Sequence, residues 1–314
     1  MTEFKNRVFG CAIVKAINSN YNADFSGQPR TLPNGTIYAT DKAYKYTVKN
    51  YLKDVYSDDK VFYFKSLNEN LNPLSLDETY SRLFGEYPKG TGKEKDKIVK
   101  MSVAKNLLSC IDIRLFGATF AGATNISLHG PIQVNHGVNV WKENNIFTEQ
   151  ITSPFSNKAD DPEAEKGMTT IGRQSRLEEG HYLHHFSINP QNLCDITELA
   201  GEGADKLSSD DIEKLKEAMR RGVTWYDSAS KAGCENEMLV WIQLNEGSKN
   251  VLPNFTTLIS LKQEKKDGKC VYDFAKLKAE LEKISSDIER IEIYYNKQTV
   301  AIENLPDNTT ENDI

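Results

Sequence analysis

Apart from its first residue and Lys15, the run Arg7 to Ile17 (RVFGCAIVKAI) is apolar or small, and it reads as a buried strand. A loop rich in Asn and Gly follows from Asn18 to Gly35, and Thr40 is a suitable N-cap for a helix running to about Tyr56. Asp59 to Lys65 reads as a short strand, and Ser66 to Ser109 as a polar helical insertion with a flexible KGTGKEKDK stretch at Lys89 to Lys97. Further strands are expected at Ile111 to Thr119, Gly130 to Trp141, His181 to Ile188, Met238 to Leu244, Phe255 to Leu261 and Ile291 to Tyr295. Helices are expected at Ser208 to Arg221 and Asp273 to Ile288. Strand, helix, strands, helix, strand, interrupted by insertions, fits an α+β ferredoxin-like core. Neither GxGxxG nor a Walker motif occurs, which argues against a doubly wound fold and nucleotide-dependent chemistry.

At 314 residues the chain exceeds a comfortable single core, so one domain with large insertions, or two domains, is expected. The five cysteines lie far apart without a CxxC pair, which fits a reducing compartment and speaks against a zinc knuckle or a disulfide framework. No apolar run approaches membrane-spanning length, and Met1 to Arg7 lacks a signal core, so a cytoplasmic protein without membrane contact is expected. The formal charge of −6 does not exclude nucleic acid, because a groove needs only local positive potential. The acid is concentrated at Asp160 to Glu165, Glu202 to Glu217 and Asp307 to Asp313.

On the helix from Asp41, Lys42, Lys45, Lys49 and Lys53 fall in one stripe, opposite Tyr44, Thr47, Val48, Tyr51 and Val55. Four ammonium groups about a turn apart can track a phosphate backbone, although the pattern alone favours an ordinary solvated face. Ile151 to Gly180 is poor in core residues and reads as a projecting hairpin or loop. It carries Met168, Arg173, Gln174 and Arg176, residue types that wedge between bases or bind phosphate, or that simply populate a mobile loop. On a strand, His181 and His185 share a face while His184 points away, and no acidic or Cys ligand sits at a useful spacing, so no metal site is expected. In IDIRLF (Ile111 to Phe116), alternation pairs Asp112 with Arg114 on one face of a half-buried strand. Asp24 is a conceivable catalytic carboxylate, but a lone Asp in such a loop is usually a turn residue.

Several of these stretches, in order, resemble the CRISPR Cascade backbone subunit of the RAMP superfamily, with a type I-B flavour. The blocks are NSNYNADFSGQPR, ATDKAYKYTVKNYL, DIRLFGAT, GPIQVNHGVN, ITSPF, TTIGRQSRLEEGHYLHHFSINP and WYDSAS, spread from Asn18 to Ser230, within a likeness that extends from Arg7 to about Leu261. The resemblance implies a modified ferredoxin-like, RRM-type palm (residues 1–65, 110–150 and 181–300). It also implies a helical finger insertion (66–109) and a protruding thumb β-hairpin (151–180), before an acidic disordered tail (301–314). It implies a non-catalytic subunit that polymerises along the crRNA of an antiviral ribonucleoprotein filament, with no cofactor. The implied partners are other copies of itself, other Cascade subunits, target DNA reached through the crRNA, and a recruited helicase-nuclease. RNA contacts are implied at Asn20, Asn22 and Arg30 of the first block, at Lys42, Lys45 and Lys49, and at Arg114 and Gln133. Arg173 and Arg176 fall at the base of the thumb, with Met168 as the wedge, and the resemblance turns the preference towards a functional lysine stripe.

The sequence departs from that family in places. The Asn20 to Asp24 loop lacks the usual Pro and Gly, Tyr46 replaces a basic residue, and the acidic hairpin tip (Asp160, Asp161, Glu163, Glu165) suits a neighbouring protein better than RNA. Two other readings compete. One is an RNA-cleaving subunit using Asp24, as in type III relatives, and the other is a scaffold that binds protein alone.

Overall fold

The computed structural model describes residues 2–90, 94–156 and 168–314, with only the backbone at 156 and 168–171. The chain opens with β1 (Val8–Ser19), β2 (Tyr38–Ala39) and α1 (Asp41–Val55). Then come α2 (Leu76–Phe84), α3 (Lys95–Leu108), α4 (Ile111–Phe116), and the short strands β3 (Gly117–Ala121), β4 (Asn125–His129), β5 (Ile132–Val134) and β6 (Gly137–Asn139). Two long strands, β7 (Ile146–Ser156) and β8 (Met168–Ile188), precede α5 (Cys194–Ala200), α6 (Ser209–Trp225) and β9 (Cys234–Leu244). The end is β10 (Ser260–Leu261), β11 (Cys270–Asp273), α7 (Ala275–Glu282), β12 (Ile288–Tyr295), β13 (Val300–Glu303) and β14 (Thr309–Asn312).

Among the described residues, a nine-stranded sheet runs in the order β14-β12-β9-β1-β8-β6-β2, with β5 and β7 also bonded to β8. The apolar run of β1 sits near its centre because both faces are covered. Val8, Ala12, Val14 and Ala16 face a core shared with α1, α3, α4 and α6, while Phe9, Cys11 and Ile13 face a second core shared with β10, β11, β13 and α7. Gly10 permits this packing, since a Cβ there would lie 2.1 Å from the Val240 carbonyl oxygen and 2.5 Å from the Phe186 ring. The fold is α+β, as the order of elements predicts.

β8 bonds to β1 from Leu177 to Ile188 and to β7 from Met168 to Leu177. Its first part therefore forms a two-stranded ribbon with β7 past the end of β1, starting at Ile146 and not at Ile151, while Glu179 and Gly180, expected in the projecting segment, pair with β1 in the main sheet. The acidic residues Asp160 to Glu165 lie outside the described residues.

Several expectations need correction. Ile111–Phe116 is a helix, not a strand. Ile111 to Leu115 are all buried, so the apolar alternation of IDIRLF reflects a short turn enclosed on every side. The expected Asp112–Arg114 pair is absent, because Asp112 meets Lys49 and Arg114 meets Asp211. Asp59 to Lys65 forms a single bridge, Lys60 with Cys110, and not a strand. Phe255 to Leu261 breaks into a 3₁₀ turn and the two-residue β10. The last residues are not a disordered tail: β13 pairs with β11, and β14 adds to the edge strand β12, whose backbone groups it satisfies. Within the expected flexible stretch, Lys95 to Lys97 already belong to α3. On α1, Leu52 is buried and Val55, at the last turn, is exposed.

Candidate nucleic-acid interface

Thr40 caps α1 by accepting from the Ala43 amide at 3.3 Å. Asn22 Oδ1 in turn accepts from Thr40 N at 2.9 Å and Thr40 Oγ1 at 3.0 Å, so the Asn-rich loop is tied to the start of the helix. The Asn20 side chain donates to the carbonyls of Gly27 and Ser175, each at 3.1 Å, and its buried Oδ1 has no partner among the described residues. Arg30 donates its backbone N–H to Asn22 O at 3.2 Å, and its guanidinium lies 6.0 Å from the ring of the fully exposed Phe25.

Arg176 reaches the same place from β8. It donates to Asn18 O at 2.9 Å, to Gln174 Oε1 at 3.2 Å and to Ala229 O at 3.4 Å. Arg173 is exposed on the ribbon, opposite Gln150. Met168 is the first residue of β8, and its side chain lies outside the described residues. Asn20, Asn22, Arg30, Arg176 and the amino end of α1 thus form one continuous strip.

The lysine stripe follows on α1 but is not uniformly presented. The Lys42 side chain is 85% exposed, whereas that of Lys49 is 13% exposed and sits 3.2 Å from the buried Asp112 carboxylate. Lys45 bonds to Asp41 at 3.1 Å beneath the Phe116 ring, and Lys53 lies beside Asp54 and 5.2 Å from the Phe64 ring. Although burial opposes its ionisation, Asp41 is held below the usual carboxylate range, chiefly by Lys45. The expectation of four ammonium groups in a solvated row is therefore corrected, because Phe116 and Tyr63 cover the middle of the stripe.

Arg114 does not belong to this face. Its Nε and Nη2 bind Asp211 at 3.0 and 2.7 Å, and its Nη1 donates to Leu108 O at 2.9 Å, all in the interior. The expected RNA contact is corrected on that ground, since a helix turned its side chain towards α6. Gln133 is exposed on β5 and donates to Gly130 O at 2.8 Å. Asp24 is a turn residue: its Oδ1 accepts from Ser26 N and Ser26 Oγ at 2.8 Å and from Gln28 N at 2.9 Å, and these bonds, that from the Ser26 side chain foremost, hold its carboxyl below the usual range.

An aromatic cluster beside the stripe escaped the sequence reading. Tyr46 stacks on Phe64 with ring centroids 5.0 Å apart and meets the Tyr226 ring edge-on at 5.3 Å. Tyr46 and Tyr226 each fall in a resembling block, but Phe64 joins them only through the fold. The three histidines divide as expected. His184 packs on Tyr44 in the first core, while His181 and His185 lie near Tyr272 and Phe255 in the second. The expectation that no acidic or Cys ligand sits at a useful spacing is corrected: Glu179, two residues before His181, and Cys270, brought in by the fold, both approach it.

A family model described as "CRISPR-associated protein Cas7" matches residues 6–282. A comparison with curated proteins gives no match. Among solved structures, a chain of a "CRISPR RNA-guided surveillance complex, pre-nicking" is similar at 12% identity and a TM-score of 0.59, over 98% of this chain and 96% of that one. Another, from a "CRISPR RNA-guided surveillance complex", is similar at 13% identity and a TM-score of 0.49, over 96% and 94% of the two chains. The model spans most of the sequence, and the first of these likenesses extends over nearly the whole fold. This chain belongs to the CRISPR-associated protein Cas7 family.

Proposed function

We propose that this chain is a non-catalytic crRNA-binding backbone subunit of a type I surveillance complex. In this reading the large sheet is the palm, residues 66–109 are the finger, the β7–β8 ribbon is the thumb, and successive copies line up along the guide and leave its bases open to target DNA. The observation that carries it is the strip joining Arg176 and Asn20 to Asn22 and the cap of α1, with exposed Lys42 and Arg173 at its two ends. Amide side chains and guanidinium groups suit phosphate and sugar contacts, which hold a strand without reading its sequence. Base specificity is then left to pairing by the guide. The proposed contacts are Asn22, Arg30, Lys42, Lys45, Gln133, Arg173 and Arg176, with Met168 as wedge; the expected contact at Asn20 is corrected, since that side chain is buried and holds the loop through Gly27 O and Ser175 O, and Lys49 contributes mainly through its hold on Asp112.

The test is to purify the subunit with its operon partners and sequence the nucleic acid that accompanies it. RNA of one discrete length with a shared repeat-derived end is the expected result. Protein that carries no RNA, or only random host RNA, refutes the reading. The competing nuclease reading is weakened because Asp24 is occupied by its own turn. Cleavage of a guide-complementary RNA by the assembled complex, abolished by Asp24→Ala, would revive it.

A further inference from the structure

On the sheet face opposite α1, β8 and β11 bring together an oxygen, a nitrogen and a sulfur donor. His181 is completely buried, with Nδ1 2.6 Å from Glu237 Oε2 and Nε2 3.1 Å from Glu179 Oε1. The Cys270 sulfur lies 3.9 Å from the same Nε2, and one donor atom from each of Glu179, His181 and Cys270 lies within 4.8 Å of the other two.

Glu237 stands behind the imidazole and is 4% exposed. Its Oε2 also accepts from the Tyr272 hydroxyl at 2.7 Å, while its buried Oε1 has no partner among the described residues. It points here because of a bulge. Ile13 pairs with Met238 and Val14 with Asn236, which leaves Glu237 as the extra residue of β9 and turns it to the same side as Met238. Asn236 points the other way and bonds to Met219 O and Val223 N. An inserted residue that places a carboxylate on the far nitrogen of a buried histidine is a directed feature of the sheet.

We propose that Glu179, His181 and Cys270 bind a zinc ion, with Glu237 orienting the imidazole. With zinc bonds of about 2.0 to 2.3 Å, tetrahedral donors lie about 3.3 to 3.8 Å apart. The observed separations of 3.1 and 3.9 Å bracket that spacing. A histidine ligand ordinarily gives its other ring N–H to a carboxylate, as His181 does to Glu237. Thiolate and imidazole select zinc over magnesium or calcium. Lys265, 2.7 Å from Glu179 Oε1 and partly exposed, marks the solvent side, where the ion enters, displaces the ammonium and keeps a water as its fourth ligand. Binding releases the thiol proton of Cys270 and leaves Nε2 unprotonated. The ion would fasten the small sheet β10-β11-β13 to β8 of the main sheet.

The test uses the full-length chain with its accompanying RNA and without an affinity tag. After chelation, titration with Co²⁺ is expected to give a thiolate-to-cobalt charge-transfer band that Zn²⁺ abolishes. The band is expected to be lost in Cys270→Ser and kept in Cys110→Ser. Zinc-edge X-ray absorption of the unmutated protein is expected to find one sulfur ligand and no more, a readout that does not depend on a variant folding. No charge-transfer band, a band that survives Cys270→Ser, or a zinc shell without sulfur overturns the proposal.

Discussion

Lys49 Nζ lies 3.2 Å from Asp112 Oδ2, and that carboxylate is wholly buried. The same group accepts from the amides of Phe62 at 2.7 Å and Tyr63 at 2.9 Å, so it fastens α1 to the segment before the α2–α3 insertion. A lysine in a surface-like stripe is thereby a structural counter-ion. Lys49→Ala leaves Asp112 buried without its cation and is expected to lower stability by about 3 kcal/mol, measured as a shift in urea midpoint at constant slope.

Lys42 is the contrasting case. Its ammonium is exposed and its nearest acid is the adjacent Asp41 at 3.6 Å. Lys42→Ala is expected to leave the urea midpoint unchanged and to reduce the slope of log affinity against log salt by about 1 in RNA binding. An unchanged slope removes Lys42 from the proposed contacts.

Arg114→Ala is expected to cost about 3 kcal/mol of stability, because it strands Asp211 at 2% side-chain exposure. Asp211 is also part of the capping box of α6 with Ser208, so the loss falls on the helix that supports α1. RNA affinity per folded molecule should stay at the parent value. A selective loss of affinity would restore Arg114 to the interface.

His184 sets an acid limit. Burial pushes its imidazole from the ordinary 6.5 down to about 4, and the ring is held neutral, with Nδ1 3.0 Å from the Asn135 carbonyl and Nε2 3.3 Å from the Tyr21 hydroxyl. Because the folded value lies below the unfolded one, the contribution is complete above pH 6.5 and is lost as pH falls towards 4. The loss at pH 5 should be about 2 kcal/mol. Urea midpoints between pH 7 and pH 5 should fall for the parent and fall less for His184→Phe; parallel curves would refute the assignment.

Gly137 lies against the same ring. A Cβ there would sit 2.3 Å from His184 Nε2, and the ring is fixed from its other side by Tyr44, stacked at 5.0 Å. Gly137→Ala is expected to cost about 1 to 3 kcal/mol by overpacking, read as a lower melting temperature.

What could be read from the sequence was local. The apolar run of β1, the Thr40 cap, the two-sided division of the histidines and the hairpin each depend on neighbours in the chain or on a simple period. The failures share the opposite property. IDIRLF alternates like a strand, yet its helical form depends on Lys49 and Asp211, which lie far away in sequence. Phe64 completes an aromatic cluster with Tyr46 and Tyr226, and Cys270 meets His181 across 89 positions. The tail looked unstructured because its few apolar residues suggest no core. What orders it is backbone pairing with β12, together with the Tyr295–Glu311 hydrogen bond and the Lys278–Asp307 ion pair.

β8 is a single strand of 21 residues, about 70 Å of chain at a rise of about 3.3 Å per residue, and it belongs to the ribbon at one end and to the centre of the sheet at the other. A ribbon joined to its domain by loops swings independently. One continued by an unbroken strand is a lever whose fulcrum is the ladder beginning at Leu177. Met168 and Ile188 lie on one backbone run, so the ribbon is joined to the β1–β8 ladder with no loop between them.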